Sequence, residues 1–321
     1  MTPPPPPFGF SRSRDGLRFD PALDDEPLAG ARTALAQGRW TTARSLLAGT
    51  GDDWDRRGHR LVVLGQGVAS ATWAREWRLA EPGSSDAAAL LACAMVFRAV
   101  TGKETPERAR EACQAAAALT PADPTPWLCL LILARHTGTH DEQMRAFDQV
   151  RGRHRSHHHG HHLMAACLAE RPQPAADGAA FHEVHEFAEW AAGEAPAGSP
   201  LAVLPLVAHA ELYRVLAGSG TLPADPAASG HWNGWRARQA LERGFDWWLD
   251  RDGGGHDHSR LHLDLNFLAH AHFLRGRTAE AAALFNRIGG YATRVPWAYP
   301  DRDPQKAFHA AREAVLGPGS L

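Results

Sequence analysis

From Asp25 onward the chain alternates Ala- and Leu-rich segments of helical length with short punctuation containing Gly or Pro. This alternation is what helix hairpins require, and few segments carry the β-branched alternation of strands. At Thr105-Pro106-Glu107 a capping Thr precedes Pro at the first helical position, where a missing N–H costs nothing, and then an acid that favours the helix dipole. The stretch Leu119-Thr-Pro121-Ala-Asp123-Pro124 ends that helix and Trp127 opens the next. Gly138 is expected to stop it in a left-handed conformation. The predicted fold class is all-α.

The polyproline run at residues 3–7 cannot join a packed helix, so residues 1–24 are expected to form a disordered, extended tail. Residues 25–321 are read as one helical domain with long loops near 218–230 and 252–257. Lys plus Arg total 34 against 36 Asp plus Glu, a net charge of −2, so nothing in the balance attracts nucleic acid or an anionic membrane. The apolar run at residues 87–97 stops well short of the roughly 20 residues a bilayer span needs. The opening MTPPPPPFGFSRSR has no basic start followed by an apolar segment, so it does not read as a secretory signal and the expected location is cytoplasmic. Cys93, Cys113, Cys129 and Cys167 are far apart among apolar neighbours and are read as small buried hydrophobes.

Residues 265–288, LNFLAHAHFLRGRTAEAAALFNRI, place Gly276, Ala281, Phe285 and Ile288 where a tetratricopeptide repeat has its glycine, alanine, aromatic and apolar positions. The same frame set on Gly138 takes in Trp127, Leu130, Leu131, Phe147 and Val150, with Gln143 at the usual Ala site, a departure expected to loosen that hairpin. One period of about 34 residues earlier it meets Ala109, Cys113, Ala116 and Pro121, and Gly38, Ala43 and Leu47 give a weaker echo. The chain therefore resembles the tetratricopeptide family, and through APAGSPLAVLPLVAHAELYR at 195–214 it is similar to actinobacterial repeat proteins, a likeness that implies no activity. The resemblance implies an α-solenoid of antiparallel helix hairpins whose first helices line a concave groove. Carried over position by position, it puts Arg98, Arg135, His162, Asn266 and His270 on that face with His136 beside it. The leading expectation is accordingly a scaffold or adaptor that holds a protein or peptide partner, an acidic or C-terminal segment, in an Arg- and His-lined groove, more a binder than an enzyme.

The rival expectation comes from the histidines, 19 in all. In Arg155-Ser-His157-His158-His159-Gly-His161-His162 a helix would stack His158 over His162 and His157 over His161, a spacing that can chelate a metal. The repeat frame sets His161 where Trp127 stands, so at least one of these packs instead of ligating. FHEVHEF adds His182, Glu183, His185 and Glu186 on one helix side, in an order that is neither HExxH nor HxxEH. His158, His162, His182 and His185 are the alternative ligand set, for zinc, in a metal-binding protein or metal-dependent enzyme. A second group, His256, His258, His262, His270 and His272, is read as satisfied or solvated. Gly65-Gln-Gly67-Val-Ala-Ser70 resembles a dinucleotide turn only in its first glycines and is read as helix packing. The paired tryptophans 73/77, 232/235 and 247/248 are read as core.

Overall fold

A computed structural model describes residues 17–172, 182–251 and 258–317. The 252–257 loop and residues 1–16 of the expected tail lie outside the described residues. Among the described residues fifteen α-helices follow one another: α1 (Glu26–Ala36), α2 (Trp40–Thr50), α3 (Trp54–Gly65), α4 (Ser70–Ala80), α5 (Ser85–Val100), α6 (Pro106–Leu119), α7 (Thr125–Thr137), α8 (His140–Arg153), α9 (His158–Ala169), α10 (Glu183–Glu194), α11 (Leu204–Gly218), α12 (Trp235–Arg251), α13 (Leu261–Leu274), α14 (Thr278–Ile288) and α15 (Pro304–Leu316). Among the described residues no strand forms, only one isolated bridge between Arg18 and Tyr291.

The ends of these helices follow from their sequence. Thr105 accepts the Arg108 N–H with Pro106 at the first position, as its spacing predicts. Thr139 and Glu142 close a capping box at the start of α8. Gly138 departs from expectation. Its φ is −105°, outside the left-handed region, and it is glycine for want of space: a Cβ there would stand 2.8 Å from the Ala134 Cα. Gly276, at the matching bend between α13 and α14, does adopt a left-handed φ of +67°. Gln143 does not loosen the α7–α8 pair, because its Nε2 donates to the Ala134 carbonyl at 3.3 Å and ties the two helices together.

Neighbours in sequence pack as pairs, α5 on α6, α7 on α8 and α13 on α14, while α3 also reaches α5, α7 and α9. The small and aromatic positions of the repeat pattern are buried: Ala109, Cys113, Phe147, Val150, Ala281, Phe285 and Ile288 all lie in the core. One apolar cluster centres on Trp77, Leu64 and Leu90, the other on Tyr213, Phe285 and Trp297, and Leu130 of α7 and Leu163 of α9 pack against both. All four cysteines are buried, and Cys93 and Cys129 bring their sulfurs to 2.6 Å. Residues 200–218 are long and apolar enough to cross a bilayer, but 72% of that window is buried inside the protein.

The tail boundary is corrected. Residues 17–24 are packed: the Arg18 N–H donates to the Gly290 carbonyl at 2.7 Å, Phe19 meets the Phe308 ring edge-on at 6.2 Å, and Ala22 is fully buried. These residues strap the first helices to the segment between α14 and α15, with Asp24 3.5 Å from His262 of α13. Composition hid this, because a strap needs only a few apolar anchors.

Gly65 settles the glycine-turn motif as helix packing. A Cβ there would lie 2.7 Å from the Cys93 Cβ and 3.1 Å from the Ala94 nitrogen, so the missing side chain is what lets α3 lie against α5. Gly30 in α1 faces nothing within 4 Å. Gly65→Ala is expected to lower stability by about 1–3 kcal/mol through overpacking, and Gly30→Ala to raise it by up to about 1 kcal/mol through helix propensity. Thermal melts of the two variants check the opposite signs.

Candidate metal centre

The histidine run becomes the first turns of α9. His157 caps the helix through Nδ1, which accepts the Gly160 N–H at 3.2 Å. Asp55, in the first turn of α3, accepts the His158 N–H at 2.8 Å and so pins the start of α9 to a helix about a hundred residues earlier. The two i,i+4 pairs then diverge. His161 turns to the ring edge of Phe147 at 5.0 Å and stacks on Phe187 at 6.1 Å, while its Nδ1 bonds the His157 carbonyl. It packs, as its equivalence to Trp127 predicts. His158 and His162 turn the other way, with ring centroids 4.0 Å apart.

That pair meets Asp264, which the first turn of α13 carries inward. His158 Nε2 is 2.8 Å from Asp264 Oδ2, His162 Nε2 is 3.5 Å from Oδ1, and His258 Nε2 is 3.2 Å from Oδ2. One ligand atom from each of His158, His162 and Asp264 lies within 4.8 Å of the others. The relative exposures are 1% for His158, 7% for His162 and 0% for Asp264, with the His258 side chain at 13% on the rim. His162 Nε2 and Asp264 Oδ1 are buried without a hydrogen-bond partner. Buried polar atoms are ordinarily paired, so two orphans facing each other mark a place where something else bonds.

The electrostatics point the same way. Burial pushes the Asp264 carboxyl up, yet His158, with hydrogen bonds from His158 and His258, holds it far below the usual carboxylate range. Burial, and then the neighbouring His158, pushes His162 well below the usual imidazole value. His258 is lowered by burial against the pull of Asp264. The result is an ionised carboxylate beside two imidazoles, His162 and His258, that favour their neutral form, which is the protonation state metal ligands need. Arg260 stands near the group; burial pushes its guanidinium down to about 10 against the attraction of Asp264 and Asp55.

The residues expected from sequence are dispersed differently. His158 and His162 do converge. His182 instead caps α10, its Nδ1 accepting the Val184 N–H at 3.3 Å, and His185 lies beside His209 at 5.7 Å, so neither belongs to the group. Of the groove residues, Asn266 and His270 are inside the core. Asn266 is saturated by the His262 and Tyr291 carbonyls, the Thr293 N–H and the Trp297 indole, and His270 sits at the edges of Trp232 and Trp297. Arg135 is held by both oxygens of Glu170, which also takes Arg214. Arg98 bonds the Lys103 carbonyl, and His136 is exposed. An open groove lined by all six therefore does not form, because the α13 face closes against other helices instead of facing solvent. Sequence reasoning missed Asp264 and set His258 aside. The available signal was an acid alone in the apolar run of α13, where an unpaired charge is costly.

No protein-family model, curated protein or solved structure matches the chain.

Other histidines are buried with no such role. Burial pushes His270 down to about 3 and His272 down to about 4. Below an unfolded value near 6.5 the unfolded chain takes protons that these folded imidazoles refuse, so stability is retained above that pH and lost as pH falls from there toward 3, by up to about 1.4 kcal/mol per pH unit for each group. The melting temperature should therefore drop between pH 7.5 and 5.5, and His270→Phe should drop less than the parent.

Proposed function

We propose that the protein binds one divalent transition-metal ion through His158, His162 and Asp264, with His258 at the rim, on a helical-repeat array of the tetratricopeptide kind. The observation that carries this reading is the meeting of His162 Nε2 and Asp264 Oδ1, two buried orphans 3.5 Å apart, from helices remote in the chain. Two imidazoles and a carboxylate without thiolate suit zinc or ferrous iron better than calcium or magnesium, which take oxygen ligands. Three protein ligands with a further position open is also the pattern of reactive metal sites, and a rim histidine is well placed to hold or yield that position. The repeat reading is supported by the paired helices and the burial of Ala281, Phe285 and Ile288.

Binding would also do structural work, since the ion joins α9 to α13 only in the folded chain. A ligand at a thousand times its dissociation constant stabilises the fold by about 4 kcal/mol. Untagged protein, dialysed mildly, should hold about one metal per chain by elemental analysis, and zinc should raise the melting temperature of EDTA-treated protein. His162→Ala should remove both effects while His182→Ala and His185→Ala leave them. Substoichiometric metal together with a zinc-insensitive melt would count against the proposal.

A further inference from the structure

A cavity of about 430 Å³ lies where the two apolar clusters meet. Its walls are apolar side chains from four helices, Val62 of α3, Phe97 of α5, Ile132 of α7 and Leu163 of α9, and Phe19 and Leu23 of the strap also line it. The volume falls within the range of about 300–1,000 Å³ typical of small-molecule sites. Into this apolar space come a few polar groups: Arg260 from the start of α13, Arg294 from the loop before α15, and His59 and His159.

The charges in that lining do not balance. Among the described residues no carboxylate lies within ion-pair distance of the Arg260 guanidinium. The lining carboxylate, Asp20, is already taken at both oxygens by Arg32, one contact at 2.6 Å. His59 Nε2 and His159 Nδ1 are buried without hydrogen-bond partners. A guanidinium presents planar paired donors suited to an anionic group, and leaving it unpaired beside apolar walls is costly.

We propose that this cavity binds a small apolar molecule bearing one carboxylate, with the carboxylate on Arg260 and the apolar body against Val62, Phe97, Ile132 and Leu163. The cavity is lined by residues other than His158, His162 and Asp264, with Arg260 beside both, and the metal-free chain presents it intact.

Decanoate is the probe, titrated calorimetrically into the full chain after EDTA treatment. It should bind one per chain, decanol should bind at least tenfold more weakly for lack of the charge, and acetate should not compete for lack of the body. Arg260→Gln should weaken decanoate at least tenfold, about 1.4 kcal/mol, and leave decanol unchanged, and Ile132→Trp should abolish both by filling the space. Absence of decanoate binding at millimolar concentration, equal affinity for decanol, or an Arg260→Gln variant that binds as the parent does would each overturn the proposal. The decanoate–decanol comparison needs no variant, so it decides even if a substituted chain fails to fold. Decanoate binding by His162→Ala separates this site from the metal site, since loss of zinc uptake alone leaves it intact.

Discussion

A carboxylate with no exposure to water, Asp264, sets the terms for the interior. Burying a charge is tolerable only when it is paired and hydrogen-bonded, and Asp264 draws its partners from two places remote in sequence, α9 and the residues just before α13. Meeting that demand ties α9 to the start of α13. Asp55 adds a second such link by accepting the His158 N–H, which joins α3 to the same helix end.

Around this polar centre the rest of the molecule is apolar packing of helix pairs. Close approach is granted by absent side chains, as at Gly65 against Cys93, and the wedge between pairs is supplied by Phe147 and Phe285. The strap at residues 17–24 then joins the early helices to the segment between α14 and α15, so that residues from both ends of the described chain line one cavity. The candidate metal group and the cavity are neighbours through α13: His258 and Asp264 serve one, Arg260 and Leu263 the other. A single helix start therefore carries the polar residues of both proposed sites.

Much of this was legible beforehand. Helix class, the start at Thr105 and the stacking of His158 on His162 are local properties, governed by side-chain propensity and a period of 3.6 residues. The left-handed state expected of Gly138 and the loosening expected at Gln143 failed for a shared reason. Both depend on the crowding at the α7–α8 bend, where Ala134 leaves no room for a Cβ at Gly138 and its carbonyl also accepts from Gln143.

The sequence by itself determined that helices form, where α6 begins and ends, and that two histidines one turn apart share a face. Only the tertiary structure decided that those histidines face Asp264 and His258 and not His182 and His185, that Asn266 and His270 are core and not groove, and that Arg260 enters the cavity between the two clusters. The physical reason is that helix formation is written in contacts three or four residues apart. The partners of a buried charge are instead chosen by how whole helices stack, and that choice is spread over every apolar face in the chain.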